Sequence, residues 1–200
     1  PIFDRFPPAT PDEIRSAILA SSDASCSLDV IPNFLLKACL PSLLVPITNL
    51  VNLSLSENKF LLPFKHALVT PLLKKFNLQS DELSNYRPIS NLNFISKIIE
   101  RIIQKRLCTH LNSFNSITPF QSAYRRFHST ETAFLKIQND LRLSANKQKT
   151  SALILLDLSA AFDTIDHSIL IHCLSCLSSL FGLYGTVLSW LQSYISSREF

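Results

Sequence analysis

Glycine and methionine are the residues that this 200-residue sequence has least of. It contains two glycines, Gly182 and Gly185, and no methionine at any position, including the first. Two glycines exclude collagen-like repeats, glycine-rich linkers and any GxGxxG or GxxxxGK[ST] phosphate-binding loop. The missing initiator methionine predicts that the sequence is a piece of a longer protein.

A secretory leader and a continuous apolar membrane span are also missing. The first 13 residues are polar and rich in proline, and the five cysteines are an odd number, which predicts a reducing compartment without a disulfide framework. Residues 38–56 and 168–197 carry no formal charge, but prolines, asparagines, glycines and serines interrupt them. We expect an intracellular protein, in nucleus and cytoplasm, that neither is secreted nor crosses a membrane.

Charge is distributed unevenly along the chain. With 46% apolar and 17% charged residues, the sequence can bury a sizeable core. The net charge is +4, yet residues 64–150 carry +9 and residues 151–200 carry −3. A basic block that holds a polyanion and delivers it to metal-binding carboxylates would have this layout. The alternative is that the basic residues are the solvated faces of ordinary helices.

Local patterns predict an α+β fold. Thr10 followed by Pro11 is a strong helix start, Pro41 separates two helices, and Lys74 and Lys75 lie near the tip of a hairpin. A continuous apolar run before Asp157 predicts a central strand buried on both faces. One helix is expected to start at Thr10 and Pro11. The other expected helices cover 31–40, 42–56, 91–112, 130–144 with Ser129 as N-cap, 168–178 and 186–196, and the expected strands cover 67–73, 86–90 and 152–156.

Asp157 is the most informative single residue. A carboxylate at the end of a buried strand needs a metal, a base or capping amides, because leaving it unpaired costs several kcal/mol. A metal site there would suit phosphoryl transfer by two divalent ions. The alternative is that Asp157 caps the following turn or helix, and N-capping explains Asp163 and Asp166 equally well.

Two further groups of residues have chemical and structural interpretations. Cys173 and Cys176, near His167 and His172, suggest zinc, but a single CxxC is a poor zinc site and Cys173 shares an apolar helix face. Three aromatic residues beside Arg125 could stack on bases or pack in the core. They are Phe120, Tyr124 and Phe127.

Five segments in order then resemble a known family. They are LVTPLLKK at 68–75, NYRPISNL at 85–92, QSAYR at 121–125, HSTETA at 128–133 and LLDLSAAFDTIDH at 155–167. Together they resemble the reverse transcriptase domain of non-LTR (LINE-type, CR1/L2/Jockey-like) retrotransposons. The resemblance implies right-hand polymerase fingers at 64–150 and the first part of the palm at 151–200, after a helical N-terminal extension at 1–63.

The resemblance also implies roles for single residues. Asp157 matches the first metal-binding aspartate, and Phe162 matches the aromatic steric gate under the sugar of the incoming nucleotide. Basic fingers residues that hold the triphosphate are matched by Lys75 (or Lys74) and Arg87. Residues near the template are matched by Gln121, Tyr124 and Arg125. The implied cofactor is Mg²⁺, with Mn²⁺ as the alternative, and the implied partners are an RNA template, a DNA primer and dNTPs.

One departure from the family limits the expected activity. The second metal motif contains an Asp-Asp pair, which this sequence lacks, and its only acid after Asp166 is Glu199. We therefore expect the 200 residues alone not to polymerise, with the rest of the palm, the thumb and the endonuclease outside them. Two alternatives stay open: a catalytically dead or co-opted relic that only binds RNA, and a helical interaction protein without a nucleic-acid role.

Overall fold

The described residues form helices and one two-stranded sheet. The computed structural model describes residues 2–113, 116–158, 161, 164–176 and 178–199. The elements in these residues are α1 (Pro11–Leu19), α2 (Asn33–Ala38), α3 (Leu40–Ser56), β1 (Ala67–Leu73), β2 (Tyr86–Leu92), α4 (Phe94–Ser113), α5 (Thr130–Asn146), α6 (His167–Cys176), α7 (Ser178–Phe181) and α8 (Gly185–Ile195). This mixed composition confirms the α+β prediction at the level of helices and a small sheet.

Two compact units share the chain. One, the helical unit, contains Pro1–Phe114 and His167–Phe200, and the other, the inserted unit, contains Asn115–Asp166. The helical unit therefore takes in α1 to α4, the β1–β2 hairpin and α6 to α8, whereas the inserted unit contains α5. The assignment of 1–63, 64–150 and 151–200 to an extension, fingers and palm stays a prediction.

Helix starts follow the local signals in the sequence. The Thr10 hydroxyl accepts a hydrogen bond of 3.2 Å from the Glu13 amide at the start of α1, which confirms the predicted N-cap. The Glu13 carboxylate pairs with the Arg106 guanidinium at 2.8 Å, which ties α1 to α4. The prediction that Pro41 separates two helices is wrong in position, because the break lies at Cys39 and Pro41 belongs to the first turn of α3. A proline fits there because an amide in the first turn has no partner within the helix.

The core of the helical unit lies where α1 packs on α3 and α4. The apolar face predicted for α4 is confirmed, because four isoleucines of that helix are almost fully buried. They are Ile98, Ile99, Ile102 and Ile103. Each such side chain contributes about 1.5–3 kcal/mol by leaving water, so this face is a main source of stability.

Helix α8 completes the core through aromatic side chains. Trp190 is 1% exposed, and its indole N–H donates to the Ser54 hydroxyl on α3 at 3.1 Å. The rings of Phe6 and Phe60 meet Trp190 edge to face, with centroids 5.7 and 5.6 Å away. Tyr194 stacks on the same indole at 5.4 Å. The cluster fixes α8 against α3 and the N-terminal segment.

The N-terminal segment pairs with the residues that lead into α8. The Phe3 amide donates to the Gly182 carbonyl at 2.8 Å, and the Tyr184 amide donates to the Phe3 carbonyl at 3.1 Å. Gly185 has φ of +50°, and a Cβ built there would lie 3.1 Å from the Asp4 carbonyl oxygen. Both conformation and space therefore favour glycine at this position.

The hairpin prediction is confirmed with β2 two residues longer than expected. β1 and β2 are antiparallel, with Ala67 opposite Leu92 and Leu73 opposite Tyr86. Pro71 lies opposite Pro88, next to the central Thr70–Ile89 pair, and neither proline has an amide hydrogen to offer the ladder. Both strands are largely exposed on both faces.

The predicted strand at 152–156 is wrong. The segment has no regular secondary structure, and Leu153 is 55% exposed while Leu156 is 90% exposed. A buried strand needs a neighbouring strand on each side, but in the described part of the chain the only sheet is β1 with β2. The apolar composition of this segment favours burial, but it does not determine which other strand would pair with it.

The predicted N-cap of α5 is confirmed, whereas the predicted apolar face of this helix is not buried. The Ser129 hydroxyl accepts from the Thr132 amide, and the Thr132 hydroxyl accepts from the Ser129 amide, which is a capping box. None of its residues is buried, and Phe134 in the expected apolar stripe is 62% exposed.

Among the described residues, no helix combines the length and hydrophobicity that crossing a bilayer requires.

Candidate functional site

Lys74 closes the tip of the hairpin. Its amide donates to the Asn85 carbonyl at 2.8 Å, and its ammonium donates to the Ser84 carbonyl at 2.7 Å. The Tyr86 hydroxyl donates to the Ser80 carbonyl at 2.9 Å, which ties the intervening loop to the base of β2. These bonds hold the loop in one shape, so the lysine ammonium has a structural role in it.

Lys75 and Arg87 are the cations of the hairpin that remain available. Both are exposed, and within the described residues neither side chain has a hydrogen-bond or ion-pair partner. Arg87 lies opposite Leu72 in the ladder, two residue pairs away from the Lys74–Asn85 closure. A guanidinium is planar, and two of its N–H groups can donate to two phosphate oxygens at once.

A loop at 116–129 presents the predicted template residues. The Arg125 guanidinium donates to the Thr118 carbonyl at 3.2 Å, and the Gln121 side chain donates to the Ala123 carbonyl at 3.2 Å. These contacts are local, so the loop is held by its own backbone. Gln121, Tyr124 and Arg125 thus come from one short segment of the inserted unit.

Aromatic rings project from this loop. Tyr124 is 87% exposed and Phe127 is 85% exposed, and both have positive φ, at 57° and 63°. Positive φ is uncommon for non-glycine residues and is strained for a bulky side chain. The Arg126 guanidinium lies 4.6 Å from the centre of the Phe127 ring. The interpretation that these aromatics pack in the core, which also included Phe120, is wrong because all three rings are exposed.

Asp157 lies in the exposed segment that follows α5. Its expected position at the end of a buried strand is wrong, as that strand is not formed. A carboxylate is the kind of oxygen ligand that magnesium prefers. However, the residues that the structure describes contain no group of three or more histidines, cysteines or acids placed to hold a metal ion. Asp157 alone does not fit a complete metal site. Phe162 and Asp163 lie outside the described residues.

Sequence reasoning missed a polar cluster on α4 and α8. The Tyr194 hydroxyl donates to Glu100 at 2.6 Å, and the Arg198 guanidinium lies 3.7 Å from the same carboxylate and 4.1 Å from the Tyr194 ring centre. Burial, followed by the Glu100 charge, raises the pKa of Tyr194 to about 12. Tyr194 and Glu100 are 94 residues apart in sequence, so no local sequence pattern predicts their contact.

Asp29 was likewise missed as a structural residue. One carboxylate oxygen accepts from the Cys26 amide at 2.7 Å and the other from the Phe94 amide at 2.5 Å. Phe94 is the first residue of α4, so Asp29 caps that helix from a distant loop. The contact orients α4 immediately after the hairpin.

Comparison with known proteins shows the family. Over residues 73–197 the chain matches the family described as reverse transcriptase (RNA-dependent DNA polymerase). The match covers more than half of the chain, which therefore belongs to the reverse transcriptase family. All of the predicted site residues, from Lys74 to Phe162, lie inside the matched range.

The curated proteins that resemble this chain are polymerases of mobile genetic elements. The probable RNA-directed DNA polymerase from transposon X-element of Drosophila melanogaster is 27% identical over 197 residues, which are 96% of this chain and 21% of that protein. The corresponding protein from transposon BS of the same species is 26% identical over 178 residues, 88% of this chain and 19% of that protein. The Pol polyprotein from the type-1 retrotransposable element R1 of Bradysia coprophila is 30% identical over 146 residues, 72% of this chain and 14% of that protein. The chain thus spans about a fifth of the length of the first two relatives.

Proposed function

We propose that this chain supplies the nucleotide- and template-contacting part of an RNA-directed DNA polymerase of a non-LTR retrotransposon. The family match from 73 to 197, which contains all of the proposed site residues, carries the proposal. The names of the transposon relatives give the template and product classes. In the whole polymerase a primer 3′-hydroxyl attacks the α-phosphate of a dNTP, and pyrophosphate leaves.

The nucleotide triphosphate is proposed to bind at Lys75 and Arg87. Both are exposed cations without a protein partner in the described residues, on a hairpin of fixed register. Lys74 is assigned the supporting role of closing the loop, since its ammonium is already bonded to Ser84. Phe162 is proposed as the steric gate that disfavours a ribose 2′-hydroxyl, on the family resemblance alone.

The template strand is proposed to contact the loop of Gln121, Tyr124 and Arg125. An exposed tyrosine ring beside an arginine offers base stacking and a phosphate contact from one segment. Asp157 is proposed as one ligand of a magnesium site, with manganese as the alternative metal. Because one carboxylate does not make that site, its contribution is tested in the whole polymerase.

RNA binding by the 200-residue chain tests the template assignment. Fluorescence anisotropy with labelled single-stranded RNA, at KCl concentrations from about 50 to 300 mM, should show an affinity that falls steeply with salt. Arg125→Gln should reduce the slope of log affinity against log salt concentration by about one, the effect of losing one phosphate contact. Tyr124→Leu should weaken RNA binding by about 1–3 kcal/mol, because a base can no longer stack on the ring. Arg15→Gln is the matched control, an exposed arginine on α1 outside the basic block.

The outcomes separate the candidate functions. Equal weakening by Arg15→Gln and Arg125→Gln would contradict a template site at the loop. Salt-independent or absent RNA binding would instead support the helical interaction protein. In a polymerase of the relatives' full length, Asp157→Asn should abolish primer extension while leaving RNA binding intact.

A binding-only relic is the second candidate function. The observation that favours it is the position of Asp157, which lies in an exposed segment without regular secondary structure. The relic would bind RNA with the same dependence on Arg125 and Tyr124. It would show no primer extension in any longer form that carries a wild-type Asp157.

A further inference from the structure

We propose that Cys176 is the preferentially reactive thiol of this chain, a covalent modification site for small soft electrophiles, with His172 as the base that accepts its proton. The two residues stand four apart on α6, so their side chains share one face of the helix. The Cys176 sulfur lies 3.4 Å from His172 Nε2. This proposal is independent of the polymerase assignment.

The geometry is that of a thiol activated by a neighbouring base. A thiol attacks as the thiolate, so a hydrogen-bonded imidazole that takes the proton during attack raises its reactivity. Both side chains are exposed, which lets a reagent reach the sulfur without any opening of the fold. His172 also lines a cleft of 470 Å³ between α6 and α8, with Ile171, Ser175 and Gln192 on its walls. The cleft gives a small reagent room beside the imidazole.

The other cysteines provide a comparison within the molecule. Cys39, Cys108 and Cys173 are also exposed, and in the described residues none of them has an imidazole at hydrogen-bond distance. Cys173 is the most closely matched comparison of the three, because it lies on the same helix only three residues before Cys176. Exposure is therefore shared, and the contact with His172 is what distinguishes Cys176.

The chemical step with iodoacetamide as the probe is a simple substitution. The Cys176 sulfur forms a bond to the methylene carbon as the carbon–iodine bond breaks and iodide leaves. The thiol proton passes to His172 Nε2 and from there to solvent. The product is a carboxamidomethyl thioether, and no oxidant or reductant is needed.

Site-resolved alkylation kinetics test this inference. The chain is treated with limiting iodoacetamide at pH 7, and each cysteine is quantified over time by tandem mass spectrometry, which separates Cys173 from Cys176 on their shared peptide. Cys176 should react about tenfold faster than Cys39, Cys108 and Cys173. His172→Gln, which keeps a good helix former but removes the base, should bring Cys176 down to their rate.

Two controls make the result specific to the folded pair. His167→Gln changes an imidazole on the same helix that has no contact with Cys176, and it should leave the Cys176 rate unchanged. In about 6 M guanidinium chloride the cysteines should react at similar rates, because α6 no longer holds the pair together. A Cys176 rate equal to that of Cys39, or one unaffected by His172→Gln in a chain with unchanged circular dichroism, would overturn the proposal. A Cys176 advantage that persists in denaturant would also overturn it.

Discussion

Replacing Tyr194 by phenylalanine should weaken the helical unit at neutral pH and make it less sensitive to alkali. The phenol is half-buried, and its hydroxyl donates to the Glu100 carboxylate at 2.6 Å. A hydrogen bond to a charged group contributes about 1.5–3 kcal/mol. Arg198 still lies 3.7 Å from Glu100 in the variant, so we expect a loss near the lower end, about 1.5–2 kcal/mol.

The alkaline behaviour follows from the raised pKa. The folded-state pKa of Tyr194 is about 12, above its ordinary value of 10.0 in an unfolded chain. The neutral phenol therefore contributes full stability below pH 10, and this contribution falls as the pH rises from 10 towards 12. At pH 11 a shift of this size removes about 1.4 kcal/mol, or about 1 kcal/mol after allowance for solvent screening of a partly exposed group.

Urea unfolding followed by tryptophan fluorescence measures both effects. Trp190 is the only tryptophan in the sequence and is 1% exposed, so its emission reports the unfolding of the helical unit. The gap between wild type and Tyr194→Phe should be about 1.5–2 kcal/mol at pH 8 and should shrink by about 1 kcal/mol at pH 11. A gap that stays constant from pH 8 to pH 11 would refute this account of Tyr194.

Three further substitutions have expected costs. Gly185→Ala should destabilise the helical unit by about 1–2 kcal/mol in urea, because φ is +50° and the new Cβ would press on the Asp4 carbonyl; Gly182→Ala is a comparison for positive φ. Asp29→Ala should cost about 1.5–3 kcal/mol by the same assay, since two amides lose a charged acceptor, whereas equal stability would refute its capping role. Ser129→Ala should speed amide hydrogen exchange in the first turn of α5 by the loss of about 1 kcal/mol, and unchanged exchange there would argue against the capping box.

Local signals in the sequence predicted most helices and the hairpin. Thr10 with Pro11, and Ser129, identified helix starts through side chains that cap the very next turn. The isoleucine face of α4 followed from spacing alone. In each case the information needed lies within a few residues, so the sequence is enough.

Features that depend on distant partners could not be predicted. The apolar run before Asp157 has the composition of a buried strand, but composition does not say which segment will pair with it. The Tyr194–Glu100 bond and the Asp29 cap of α4 join residues 94 and 65 positions apart, where no periodicity applies. Tyr124 and Phe127 have exposed rings and positive φ values, neither of which their residue types favour.

The closure of the helical unit by α8 also constrains how the chain can be made. A nascent chain on the ribosome would have completed α1, α3 and α4 long before Trp190 emerged, and at about 5–20 residues per second the wait lasts several seconds. During that interval the surfaces later covered by the indole would face water or a chaperone. The aromatic core of the helical unit can therefore close only after α8 has been synthesised, because Trp190 is the residue that joins Phe6, Phe60 and Ser54.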